Sequence, residues 1–88
     1  MLQTIVTQLK EIIAHKLDVN LKIDEIDENI SLFEDGLGLD SIAIVDLIVS
    51  IEKEFSLSIP DTELNADLFR SLTILAGFID RKLQEKGN

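Results

Sequence analysis

Apolar residues fall at Leu2, Ile5, Val6, Leu9, Ile12, Ile13 and Leu17, in steps of three and four. That spacing draws one stripe along a helix of about four turns and leaves Lys10, Glu11 and Lys16 off it. A first helix is predicted from Gln3 to Leu17. Residues 18–40 lose this period. Val19, Leu21 and Ile23 alternate like a short strand, but no second run offers a pairing partner. Ser31 and Glu34 have the spacing of a capping box, so Leu32 to Asp35 is read as a single helical turn, which Gly36 and Gly38 then break. Such a long loop costs order unless it is held down. Leu21, Ile23, Ile26, Ile30, Leu32, Phe33 and Leu37 are spaced along it as pins to the core, so an ordered loop is expected.

The second helix is predicted from Asp40 or Ser41 to about Phe55, with Asp40 as its N-cap. It carries two apolar rows. Ile44, Leu47, Ile48, Ile51 and Phe55 have the spacing of a core face, while Ile42, Val45 and Val49 form a second row. A helix apolar on two sides is either central or offers one side to a partner; the second option suits a bundle this small. After Pro60, Asp61 is placed to cap a short helix over about Thr62 to Ala66. The last helix begins at the N-cap Ser71, buries Leu72, Leu75, Phe78, Ile79 and Leu83, and stops at Gly87. Arg81, Lys82 and Lys86 complement its C-terminal dipole. The expected architecture is an all-α four-helix bundle of three main helices and one short helix, with a long ordered loop between helices 1 and 2. Residues 1–88 are expected to form a single domain.

Composition narrows the chemistry. There is no cysteine, which removes disulfides, thiolate metal sites and a side-chain thiol nucleophile. Seventeen acidic against eight basic residues give a formal charge of -9, with a pI near 4.3. Such a field repels nucleic acid and anionic lipid and attracts basic protein surfaces. No apolar run reaches the roughly 18 residues of a membrane span, and the first residues do not read as a signal peptide. A cytoplasmic monomer is expected.

Catalytic constellations are poorly supplied. His15 is the sole histidine, lies on helix 1 and reads as a packing or surface residue. Ser41 is not in a Gly-x-Ser-x-Gly elbow. Asp24, Glu25, Asp27 and Glu28 lack the order of a calcium loop and read as a solvated acidic face. The informative stretch is Asp35-Gly36-Leu37-Gly38-Leu39-Asp40-Ser41-Ile42. Here a glycine-containing loop delivers a serine hydroxyl to the first turn of a helix, whose partial positive charge and free amides tolerate a phosphodiester. By helix chemistry alone Ser41 also fits an ordinary first-turn residue.

Leu39-Asp40-Ser41-Ile42 resembles the Asp-Ser-Leu signature of acyl carrier proteins. The similarity continues through Val45-Asp46-Leu47, Ile51-Glu52-Lys53-Glu54-Phe55 and Ile59-Pro60-Asp61, and covers nearly the whole chain. The resemblance implies a carrier that is not an enzyme. A phosphopantetheinyl transferase would move 4'-phosphopantetheine from coenzyme A to Ser41, with Asp40 helping to present the serine. The arm's thiol would hold acyl groups as thioesters for acyl-loading and acyl-processing enzymes with basic docking surfaces. Ile42, Val45 and Val49 would be the apolar contacts, and Glu34, Asp35, Asp46, Glu52 and Glu54 the acidic ones. No metal is implied.

Three departures stand out. Ile42 replaces the usual leucine, Ala43 and Ile44 stand where housekeeping fatty-acid carriers commonly have an acidic and a polar residue, and Lys53 interrupts an acidic run. They point to a specialised carrier with a greasier docking face. Two other readings remain open at this stage: a stand-alone aminoacyl or peptidyl carrier, and a non-carrier helical binding module in which Ser41 is incidental.

Overall fold

A computed structural model describes residues 2–17, 19, 21–33 and 35–86. Three helices make the frame: α1 (Leu2–His15), α2 (Ser41–Phe55) and α3 (Leu72–Lys86). Among the described residues there is no strand; the remaining regular pieces are 3₁₀ turns at Ile23–Glu25, Asp61–Glu63 and Ala66–Phe69. The core is the shared product of the three apolar stripes. Ile5, Val6, Leu9, Ile12 and Ile13 of α1 are buried against α3, with Leu72, Leu75, Ala76, Phe78 and Ile79 facing them, and Ile44, Leu47 and Ile51 close the third side. No described helix is long and apolar enough to cross a membrane.

Helix α1 ends two residues before the predicted Leu17. The Lys16 and Leu17 amides both return to the Ile12 carbonyl, at 2.8 and 3.2 Å, and the second, wider bond ends the α-helical ladder. Leu17 is still buried, now from the turn. Leu2, assigned to the stripe by spacing, is exposed, and burial begins at Ile5.

The long connection is held by both apolar and polar ties, but not by every expected pin: Leu21, Phe33 and Leu37 pack against the core, whereas Ile23 and Ile30 are exposed. Ile26, Leu32 and Leu39 are buried. The Leu32 amide donates to the Phe69 carbonyl at 3.0 Å, and the Thr73 amide donates to the Glu28 carbonyl at 3.1 Å. Phe33 meets Phe69 edge to face with centroids 6.0 Å apart. The single helical turn read at Leu32–Asp35 does not form over the described residues; bends and turns replace it. The Leu37 amide reaches the Ser31 carbonyl at 2.8 Å, and the Gly36 and Gly38 amides share the Phe33 carbonyl at 2.9 and 2.8 Å. Ser31 Oγ accepts from the Phe33 amide, whereas its proposed capping-box partner Glu34 lies outside the described residues. Gly36 is required by close approach, since a Cβ there would lie 1.9 Å from the Ser31 carbonyl oxygen. Gly38 is required by conformation, with φ of 86° in the region that side chains avoid.

The short fourth helix takes the form of 3₁₀ turns. Pro60 leads into Asp61–Glu63, so Asp61 is the first residue of the turn and caps nothing with its side chain. Extended backbone at Asn65 (φ −154°) separates this turn from Ala66–Phe69, and neither piece is long enough for a ladder of α-helical bonds. Ser71 is the cap that the sequence suggested: its Oγ accepts from the Ile74 amide at 3.1 Å. The stop assigned to Gly87 lies outside the described residues.

Candidate functional site

Helix α2 starts where a polar side chain can end the loop. Asp40 is extended (φ −87°, ψ 179°) and its carboxylate accepts from the Ala43 amide at 2.8 Å, which satisfies one of the orphan donors of the first turn. Its carbonyl accepts from the Ile44 amide at 2.9 Å. Ser41 is therefore the first helical residue. Its side chain is exposed, and among the described residues its hydroxyl has no hydrogen-bond partner. The buried Leu39, two residues earlier, anchors the loop end so that the serine is presented from a fixed base.

Two clefts open beside this point. One, of about 640 Å³, is walled by Phe33, Leu39, Ile44 and Val45 and has Asp35, Asp40 and Ser41 at its edge. The other, of about 520 Å³, lies between the loop residues Val19, Leu21 and Leu37 and the Ile42, Ala43 and Asp46 side of α2. Ser41 borders the apolar cleft, and the amides of Ser41 and Ile42 find no acceptor among the described residues. An exposed hydroxyl and free amides at a helix start suit a phosphodiester, and the adjoining cleft offers an apolar surface beside it.

The row Ile42, Val45 and Val49 is outside the core, at 74%, 57% and 42% exposure. It runs down α2 from the serine. Asp46 is exposed within the same face, and Asp35 is exposed on the loop above it. Glu34 lies outside the described residues. Two residues read as docking acids have other engagements. Glu52 Oε2 accepts from the Ile59 amide at 2.8 Å and so ties the connection after α2 back to the helix. Glu54 Oε1 pairs with Lys16 Nζ at 3.1 Å, joining α2 to the end of α1. Lys16 is remote in sequence and Ile59 lies beyond the end of α2, so helical spacing gave no signal of either.

The remaining candidates separate from this site. His15 is exposed on α1, beside Glu11, Lys16 and Glu54 in a small cleft away from Ser41. Within the acidic loop, Glu25 Oε1 accepts from the Lys22 amide, Asp27 Oδ1 from the Asn29 amide, and Glu28 Oε1 pairs with Lys10 at 3.3 Å. These carboxylates hold the loop's own backbone and dock it on α1.

Comparison with known proteins agrees with this geometry. A family profile described as "Phosphopantetheine attachment site" matches residues 7–79. Acyl carrier proteins of Clostridium perfringens, from strains SM101, ATCC 13124 and 13, are each 52% identical to the chain over 56 residues, which is 64% of this chain and 70% of theirs.

Proposed function

Because the chain belongs to the phosphopantetheine-attachment family of acyl carrier proteins, and is thus a carrier and not a catalyst, we propose that Ser41 is where its covalent 4'-phosphopantetheine is held. The observation that carries this reading is the unpartnered, exposed Ser41 hydroxyl at the first position of a capped helix. The arm supplies a terminal thiol that bears an acyl group as a thioester, which a chain without cysteine cannot supply itself. The protein's own residues do three things. Asp40 fixes the start of α2 and thereby the position of Ser41 Oγ. The free amides of the first turn lower the cost of a phosphodiester there. The Phe33, Leu39, Ile44 and Val45 cleft gives the apolar part of arm or cargo a surface to lie on.

The partners of this reading are a phosphopantetheinyl transferase and enzymes that load and process acyl groups in fatty-acid, lipid or polyketide-type biosynthesis. They meet the Ile42, Val45 and Val49 row, with Asp35 and Asp46 as the charges nearest the serine. Residues 1–88 act as one cytoplasmic, monomeric carrier unit. Ile44 is buried and Ala43 half-buried, so neither adds to the exposed row, and the specialised-pathway reading rests on the exposed Ile42 and Lys53.

Intact mass after incubation with coenzyme A and a broad-specificity phosphopantetheinyl transferase tests the assignment. Wild type should gain one phosphopantetheine and Ser41→Ala none. Addition to both proteins would move the site elsewhere. No addition to folded wild type would favour a binding module, and loading by amino-acid-activating enzymes alone would favour an aminoacyl carrier.

A further inference from the structure

On α2, Lys53 lies on the outward row: at about 100° per residue it falls within about 20° of Ile42, and it follows Val49 by one turn. It is exposed, and among the described residues its ammonium has no carboxylate partner. Lys10, Lys16 and Lys82 are paired with Glu28, Glu54 and Glu63, and Arg70 with Asp67; Lys22, Arg81 and Lys86 also lack a carboxylate partner among the described residues, but of these cations only Lys53 lies on α2. The two carboxylates flanking Lys53 are drawn off it, Glu52 to the Ile59 amide and Glu54 to Lys16. A stretch that reads as acidic in sequence thus presents an uncompensated cation at the far end of the row, on a protein of net charge -9.

Resting on the carrier reading above, we propose that Lys53 selects partners: the enzyme that docks on this row presents a carboxylate opposite Lys53, together with an apolar patch for Ile42 and Val49 and a cation for Asp46. Asp46 and Lys53 are about 10 Å apart along the helix axis, at or beyond a Debye length of about 8 Å at physiological salt. A partner therefore meets two separate charges of opposite sign. An enzyme basic along its whole docking surface is attracted at Asp46 and repelled at Lys53, whereas one with a carboxylate at the second position is attracted at both.

The test uses the phosphopantetheine-loaded protein, with mass confirming the arm on wild type, Lys53→Glu and Lys53→Met. The probe enzyme is a fatty-acid ketoacyl synthase with a basic docking surface, used as such and with the cation nearest the C-terminal half of α2 changed to glutamate. On the basic enzyme, Lys53→Glu should raise kcat/KM about threefold, a size suited to one exposed pair, with Lys53→Met between. On the charge-reversed enzyme the order should invert, and both differences should shrink in high salt. Equal kcat/KM for the three carriers on both enzymes overturns the role of Lys53 and leaves the carrier reading standing. Absence of the arm from all three overturns the carrier reading and this inference with it.

Discussion

Helices α1 and α2 are alike in length, and α2 is the more apolar, yet it buries fewer of its apolar residues. In α1, Ile5, Val6, Leu9, Ile12 and Ile13 are all at most 3% exposed, so the stripe is consumed by packing. In α2 only Ile44, Leu47 and Ile51 are buried, and Ile42, Val45 and Val49 face solvent. Burial of a large aliphatic side chain is worth about 1.5–3 kcal/mol, so an exposed row forgoes stabilisation that a partner can recover. The difference teaches that α1 spends its stripe on the frame alone, whereas α2 is frame on one side and leaves an apolar row open on the other.

Substitution can break or sharpen this contrast. Leu9→Ala, at a fully buried site on α1, should cost about 2–5 kcal/mol in urea denaturation followed by circular dichroism, a large share of a small domain's stability. Glu52→Ala removes a charged acceptor from the Ile59 amide and should cost about 1.5–3 kcal/mol, with partner turnover per folded molecule unchanged. A turnover loss without a stability loss would return Glu52 to the docking face. Asp40→Ala should cost about 1 kcal/mol by loss of the cap and slow phosphopantetheine transfer to Ser41, measured by mass against time. Ile42→Ser should change stability by less than about 0.5 kcal/mol while lowering kcat/KM with an acyl-processing enzyme about tenfold, as for an interface anchor. A destabilised Ile42→Ser would mean that the second row is core after all.

Much of this frame was legible. Helix α2 was placed to within a residue of its start, Asp40 or Ser41, because a capping aspartate marks it. The loop's order was legible in part: Ile26 and Leu32 are buried as their placement suggested, whereas Ile23 and Ile30, equally regular in spacing, face solvent. The end of α1 was overrun because Leu17 keeps the helical spacing while being buried from a turn. The Leu32–Asp35 and Thr62–Ala66 readings met the same ambiguity: over four or five residues, apolar spacing does not distinguish a helix from tight turns packed on a core.

The start of α2 beside Ser41 and the two rows of α2 followed from the sequence by itself, because N-capping and helical periodicity are local properties set within a few residues. Which charges remain available was decided by the tertiary structure. Glu52, Lys53 and Glu54 are neighbours in the chain, but Ile59 and Lys16 claim the two carboxylates and leave the cation outward. A charged side chain serves whichever group the fold brings within about 3 Å, and that group is not written in the spacing of its neighbours.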